Sequence, residues 1–227
     1  MWHDELRNRD VIVASPQPWS PYWVSKHWIA HELSRYNRVL FVEPPVHVGG
    51  LARRPWSDRK EWKRLLRRPR RVHPNLHALA PLLAPSWLDY PDEVAQVEQA
   101  MGRLEFRNPL LLNFTVNTGY ARRLPVSTKV YYCVDPFPAA QESVVCRSSD
   151  LLYATSESYR EKFAGYDCAA PFEVIPHGFP AAEARRVLED ESVVRPPELR
   201  GLQGRICGYV GSIHDAYVDV SRLETVA

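Results

Sequence analysis

The clearest structural signal is the sequence DVIVASPQPWSPYWVSKHWIAHELSRYNRVLFVEPP of residues 10–45, in which two apolar runs flank a stretch with helical spacing. The runs DVIVA, from Asp10, and RVLFV, from Arg38, are both followed by prolines, as is typical of buried strands. Between them, apolar residues recur three and four positions apart from Ser25, the predicted N-cap, to about Tyr36, which predicts a helix. A strand, a helix and a second strand in this order predict a βαβ unit with parallel strands.

The same alternation of apolar runs and helical stretches continues downstream. Further strands are predicted at residues 76–80, 109–116, 129–135, 151–155 and from 172 onward, and helices at residues 92–104, 140–147 and 156–163. Because these runs do not alternate with polar residues, the strands are expected to be buried on both faces, as in a parallel sheet covered by helices. We therefore predict an α/β fold with a Rossmann-like parallel sheet and helices on both of its faces.

The pattern divides the chain into three parts. Residues 1–180 hold the predicted sheet, and residues 181–204 are rich in charge and proline, which indicates a linker or a short surface helix. Another strand is predicted from Arg205, and the sequence ends within a predicted helix that starts at Val218. We expect residues 205–227 to be the start of a second, truncated Rossmann-like domain.

Composition and motifs exclude several classes of protein. The 227 residues are 45% apolar and 25% charged, which fits a globular fold and not a disordered or fibrous chain. No apolar targeting segment or membrane-spanning stretch is found in the sequence, so we expect a cytoplasmic protein. The four cysteines form no C-x-x-C pair, which favours reduced thiols. Without a P-loop, a G-x-G-x-x-G or a G-x-S-x-G motif, kinases, NAD enzymes and serine hydrolases are disfavoured.

A strongly basic segment lies between Arg53 and Arg71. It has ten lysines and arginines and two acidic residues, a net charge of +8, while the whole chain carries +2. If the segment is helical, its tryptophan and leucine residues lie on one side and are flanked by cations. This pattern favours docking on the inner face of an anionic membrane. The residues predicted to make this contact are Trp62, Lys63, Arg64, Leu66, Arg67 and Arg68. A solvated loop and a nucleic-acid-binding segment are the alternatives, and the net charge of −6 outside the segment counts against nucleic acid.

Three pairs of motifs follow one another along the chain. They are PYWVSKHWIA from Pro21 with VLFVEPP from Val39, VYYCVD from Val130 with SDLLYATS from Ser149, and VIPHGF from Val174 with GYVGS from Gly208. In content, order and spacing they resemble the amino-terminal half of GT-B glycosyltransferases of family 4 (group 1), including envelope enzymes of the teichuronic-acid type. The resemblance implies two Rossmann-like domains that face a cleft, the first mainly for the acceptor and the second mainly for the nucleotide sugar.

The activity that the resemblance implies is transfer of a sugar from a nucleotide-sugar donor to a cell-envelope polysaccharide or a lipid-linked acceptor. The nucleotide sugar is then a substrate, and no metal or other cofactor is expected. The residues predicted to line the acceptor side, where aromatic rings and a cation suit sugars and anionic groups, are Trp19, Tyr22, Trp23 and Lys26. The residues predicted to border the donor are Gly178, Gly211 and Ser212.

Asp135 and His177 are the candidate catalytic residues. Asp135 ends a predicted strand at the edge where parallel sheets bind ligands, and its carboxylate is a candidate base for an acceptor hydroxyl. His177 precedes Gly178, which permits a positive φ, and is a candidate hydrogen-bond donor to the substrate. Each has a structural alternative: a chain turn before Pro136 for the aspartate, and an ordinary turn for the histidine.

Two departures from the family pattern leave other functions open. The loop from Ser15 to Ser20 lacks the glycines that let a backbone approach phosphate, and Ser212 and the residues after it replace an expected arginine–lysine pair. Because the resemblance implies only the start of the donor-binding domain in this sequence, an inactive fragment is also an expected outcome. The main alternative function is a non-catalytic membrane- or glycan-binding module left by truncation, and a basic nucleic-acid binder is the third.

Overall fold

A computed structural model of the chain describes residues 7–47, 68–178, 181–190, 194, 196–204, 208 and 221–222. The chain divides into two compact units, Met1–Phe179 and Pro180–Ala227. None of the helices in these described ranges combines the length and the apolar character that crossing a membrane requires.

The first unit is built on a large β-sheet. In the described residues its eight strands are β1 (Asp10–Ala14), β2 (Arg38–Val42), β4 (Arg70–His73), β5 (Leu76–Leu79), β7 (Leu110–Asn113), β8 (Thr128–Cys133), β9 (Leu151–Ala154) and β10 (Phe172–Val174). The short strands β3 (Val46–His47) and β6 (Leu82–Leu83) form a separate parallel pair. The helices of this unit are α1 (Ser25–Ser34), α2 (Glu93–Arg103), α3 (Thr118–Arg123), α4 (Ala139–Arg147) and α5 (Tyr159–Ala164).

The second unit contributes a helix, α6 (Ala181–Glu189), and a 3₁₀ turn, Pro197–Leu199, to the described residues. The helix occupies a segment for which a linker or a short surface helix was predicted. The strand predicted from Arg205 and the helix predicted from Val218 fall largely outside the described residues.

The strand order of the large sheet is β10-β9-β8-β7-β1-β2-β5-β4. All neighbours are parallel except β4, which runs antiparallel to β5 at one edge. The chain moves from β1 through β2 to one side, and then crosses to β7 and continues to the other side. This arrangement confirms the predicted α/β, Rossmann-like sheet, and it creates a topological switch point between β1 and β7.

Alternate residues of β1 enter two separate cores, which explains its unbroken apolar sequence. Val11 and Val13 pack on the face that α1 covers, whereas Ile12 and Ala14 pack with apolar residues of α2. A third core cluster joins β8 and β9 to residues of α4 and α5. The sheet is thus buried on both faces, as the sequence predicted.

The start of α1 differs from the prediction. Its N-cap is Val24, not Ser25, which is the first residue of the helix. The buried side chain of His27 takes over the capping role, because its Nδ1 accepts a hydrogen bond from the backbone N–H of Val24 at 3.1 Å. Its Nε2 then carries the proton and donates to the carbonyl oxygen of Pro18 at 2.9 Å. His27 therefore ties the loop after β1 to the first turn of α1.

A buried carboxylate organises the part of the unit beyond β8. Glu142 of α4 is fully buried and accepts four hydrogen bonds or ion pairs. The donors are the hydroxyls of Tyr131 (2.8 Å) and Tyr166 (2.9 Å), the thiol of Cys133 (3.2 Å) and the ammonium of Lys162 (2.5 Å). Burial, with the nearby carboxylate, raises the pKa of the Cys133 thiol to about 12, so this thiol stays protonated.

Replacing Glu142 tests this network. Glu142→Leu leaves the Lys162 ammonium and two tyrosine hydroxyls without their common acceptor, so we expect the free energy of unfolding to fall by about 3–5 kcal/mol. Chemical denaturation followed by circular dichroism measures this change. In the matched control, Glu157→Leu removes an exposed carboxylate that pairs with Arg160, and little change is expected. Equal effects of the two substitutions would contradict the assigned role of Glu142.

Candidate functional site

The carboxyl ends of the central strands bring several polar side chains to one edge of the sheet. Ser15 follows β1, Glu43 follows β2, Asn113 ends β7 and Asp135 is the second residue after β8. This edge lies at the switch point between β1 and β7, where open α/β sheets bind their ligands. It is the candidate functional site.

An ion pair joins Asp135 to the first turn of α1. The ammonium of Lys26 lies 2.9 Å from Oδ2 of Asp135, although the two residues are 109 positions apart in the sequence. The Lys26 side chain is 5% exposed and that of Asp135 is 54% exposed. One carboxylate oxygen is thus held from inside the protein while the group stays open to solvent, an arrangement that suits a fixed proton acceptor.

Aromatic side chains of the loop after β1 and of α1 form a cluster with rings from β2 and β4. Trp19, in the loop after β1, has ring-centroid distances of 5.3 Å to Trp23 and 5.1 Å to Phe41. Trp23 in turn lies 5.1 Å from the ring of His31, and His31 lies 4.8 Å from that of His73. Two of the predicted acceptor residues, Trp19 and Trp23, are therefore in contact with each other.

The other two predicted acceptor residues have contrasting environments. Tyr22 is 86% exposed, so its ring is open to a ligand. Lys26 is buried, and its charge is directed at Asp135. In the structure, Lys26 therefore positions the carboxylate of Asp135.

Glu43 is a polar residue of this edge that the sequence analysis did not select. It is almost completely buried, and its Oε1 accepts hydrogen bonds from the backbone N–H of Trp19 at 2.7 Å and from the guanidinium of Arg70 at 2.6 Å. Its Oε2 is buried without a hydrogen-bond partner within the part of the chain that the structure describes. A glutamate directly after an apolar strand and before two prolines was the signal that could have identified it.

Asn113 was also missed, because it was considered only as part of a predicted strand. It lies beside Ala14 of β1, directly at the switch point. Its Oδ1 accepts hydrogen bonds from the backbone N–H and the hydroxyl of Thr115 at 2.9 and 2.8 Å. Among the described residues, its buried Nδ2 has no acceptor. Unpaired buried polar atoms are uncommon and often mark functional sites.

His177 and Gly178 follow β10, two strands away from β8 in the sheet. With about 4.8 Å between neighbouring strands, this separates the ends of β8 and β10 by about 10 Å. Both residues are exposed, and the carbonyl of nearby Ile175 accepts a hydrogen bond from the Tyr132 hydroxyl at 2.6 Å. The expected positive φ at Gly178 is not found, and an added Cβ would meet no atom within 4 Å. Neither space nor backbone conformation requires glycine there.

The remaining predicted site residues are mostly outside the described ranges. This applies to the donor residues Gly211 and Ser212 and to the membrane residues Trp62, Lys63, Arg64, Leu66 and Arg67. Arg68 is described and exposed. Arg70, which also belongs to the basic segment, lies in β4 and pairs with Glu43.

Comparison with known proteins finds matches among solved structures and none among family models or curated proteins. Among solved structures, a sucrose-phosphate synthase from Thermosynechococcus elongatus matches with a TM-score of 0.49 and 9% sequence identity. The match covers 79% of this chain and 95% of that chain. At this degree of similarity, the match assigns neither a substrate nor a residue.

The aromatic cluster makes folding stability sensitive to acid. Burial, together with the nearby His31, lowers the pKa of His73 from its ordinary value of 6.5. The unfolded chain therefore binds a proton before the folded one does, and the His73 contribution to stability is lost as the pH falls from about 6.5 toward the lowered pKa. We expect His73→Gln to reduce the drop in melting temperature between pH 7.5 and pH 5.5, measured by scanning calorimetry. His177→Gln, at an exposed position, is the control, and an equal reduction in both variants would contradict this assignment.

Proposed function

We propose that the chain is the acceptor-side part of a GT-B glycosyltransferase of the family 4 type. It would transfer a sugar from a nucleotide-sugar donor to a hydroxyl group of a cell-envelope polysaccharide or a lipid-linked acceptor. The observation that carries this proposal is the half-exposed carboxylate of Asp135, held by the buried ammonium of Lys26 at the ligand-binding edge of a parallel sheet.

Sugar transfer requires a hydroxyl group of the acceptor to lose its proton as it attacks the donor. A carboxylate that is fixed on one oxygen and open on its other side can accept this proton, provided that the acceptor binds within hydrogen-bonding distance. In Asp135, the oxygen Oδ2 is fixed by the ammonium of Lys26. The buried position of Lys26 limits its own movement and therefore that of the carboxylate.

The aromatic loop supplies a surface for the sugar rings of the acceptor. Tryptophan and tyrosine present a flat apolar face together with a polar group, which suits the C–H faces and hydroxyls of a sugar. Glu43 holds the backbone of Trp19. His27 holds the middle of the same loop through Pro18 and its end through Val24. Tyr22 extends from this anchored loop into solvent. A loop fixed in this way loses less entropy when it binds a ligand.

The donor side of the proposal rests on the resemblance of the sequence. It places Gly178, Gly211 and Ser212 near a nucleotide sugar and requires no metal, because helix dipoles and side chains would meet the charge of the diphosphate. His177 is the second candidate catalytic residue at this side.

Substitution of Asp135 tests the proposed chemistry. We expect Asp135→Asn to lower the rate of sugar transfer by about 10²–10⁴-fold, because the amide cannot accept the proton. Lys26→Met should also lower the rate, since the carboxylate loses its fixed partner. The measurement is transfer from a panel of nucleotide sugars to glycan and polyprenyl-linked acceptors. Quenching of tryptophan fluorescence follows acceptor binding separately, and binding should be retained in both variants.

Asp89→Asn, at an exposed position in the same unit, is the matched control and should leave transfer unchanged. A full transfer rate in Asp135→Asn would remove this residue from the mechanism. Binding of glycans by every variant, with no transfer from any donor in the panel, would favour the alternative of a non-catalytic glycan-binding module.

We also propose that the basic segment docks the protein on the inner face of an anionic membrane, where a lipid-linked acceptor would be found. Support comes from the ten lysines and arginines of residues 53–71. Each cation close to an anionic membrane surface contributes about 1 kcal/mol to the free energy of binding. We expect co-sedimentation with phosphatidylglycerol vesicles and not with phosphatidylcholine vesicles. Lys63→Glu combined with Arg67→Glu should abolish it, while Arg122→Glu combined with Arg186→Glu should not. An equal loss of vesicle binding in both double variants would indicate attraction by the overall charge of the protein and would contradict docking through this segment.

A further inference from the structure

A cavity lies at the opposite edge of the sheet, at the amino ends of β1 and β2. Its volume is about 640 Å³, and Asp10, Asn37 and Tyr36 form part of its wall. Five arginines also line it: Arg7, Arg9, Arg35, Arg38 and Arg107. Because β1 has five residues at about 3.3 Å each, this cavity is about 16 Å from the candidate site described above. The cavity is therefore spatially separate from that site.

The acidic residue in the wall does not neutralise this group of arginines. Both carboxylate oxygens of Asp10 bind the guanidinium of Arg38, at 2.7 and 2.8 Å, and Oδ2 also accepts a hydrogen bond from the backbone N–H of Arg107 at 2.6 Å. Arg35 pairs with Glu32 on the surface at 2.9 Å. Within the described ranges, no carboxylate forms an ion pair with the side chains of Arg9 or Arg107, and both are exposed. Counted over its described lining residues, the cavity therefore keeps a net positive charge.

The backbone around the cavity is fixed before any ligand binds. The buried Asn37 accepts a hydrogen bond from the backbone N–H of Arg9 at 2.9 Å and donates one to the carbonyl of Leu33 at 3.0 Å. The guanidinium of Arg38 also donates to the carbonyls of Leu104 and Glu105, both at 3.1 Å. These bonds join β1, β2, α1 and the segment after α2, so the arginines extend from a rigid wall.

We propose that this cavity binds a small soluble molecule with two or more phosphate groups. A guanidinium presents parallel N–H donors that match two oxygens of one phosphate, and several guanidiniums around one space suit several phosphates. The volume falls within the range of about 300–1,000 Å³ that is typical of small-molecule sites. A concave site between strand ends also differs from the extended basic stripe that a nucleic-acid duplex requires.

Isothermal titration calorimetry with inorganic tripolyphosphate tests the proposal on the 227-residue chain. We expect saturable binding of one tripolyphosphate, with weaker binding of orthophosphate. Arg9→Ala combined with Arg107→Ala should weaken tripolyphosphate binding at least tenfold. Both side chains are exposed and their backbone hydrogen bonds remain, so the fold should persist, as circular dichroism can verify.

The matched control removes the same charge elsewhere. Arg122→Ala combined with Arg186→Ala, two exposed arginines outside the cavity, should change the affinity for tripolyphosphate by less than twofold. Equal weakening in the two double variants, or no saturable binding by the unmodified protein, would overturn the proposal.

Two further probes distinguish the source of the phosphate. If the Arg9 and Arg107 pair weakens binding to cardiolipin vesicles while tripolyphosphate does not bind at all, the cavity recognises lipid headgroups and the proposal of a soluble ligand is wrong. If the double variant instead weakens binding to a DNA duplex, and tripolyphosphate again does not bind, the cavity recognises nucleic acid. That result would also overturn the proposal. Competition of tripolyphosphate against either probe supports the proposal.

Discussion

The whole structure depends on the burial of β1. This strand has β2 and β7 as hydrogen-bonded neighbours and apolar cores on both faces, and its apolar residues are at most 2% exposed. A polar group in such a position costs several kcal/mol unless it is fully paired, so the middle of the strand can carry no chemistry. Polar side chains are confined to its two ends, and each end carries a distinct group of them.

The two ends use their charges differently. At the carboxyl end, the charges are few and individually held: Glu43 fixes the loop through Trp19, and Lys26 fixes Asp135. Such a site positions single groups, as catalysis or selective binding of a neutral sugar requires. At the amino end, arginines outnumber the acidic groups, which favours attraction of a multiply charged ligand over precise chemistry.

Local sequence signals predicted most of the sheet but not the contacts that complete the site. The apolar runs located β1, β2, β5 and β7 to β9, because a strand that is buried on both faces is mostly apolar. The shorter β10 was located although its Glu173 is exposed. The antiparallel strand β4 was missed, since its arginines were interpreted as part of the basic segment and its pairing depends on β5. The ion pair of Lys26 with Asp135 joins residues 109 positions apart, and no local pattern contains that information. The cap of α1 was assigned to Ser25 by propensity, whereas the structure uses His27, whose position is fixed by burial.

The edge strand β4 also affects how copies of this protein meet. An edge strand presents unpaired backbone groups, and a second chain can add to them and extend the sheet. Here the strand is four residues long and begins with Arg70 and Arg71, which are both exposed. Two copies that approached through this edge would bring like charges together. Arg70, which binds the carboxylate that anchors the carboxyl-end loop, therefore also opposes aggregation into extended β-structures.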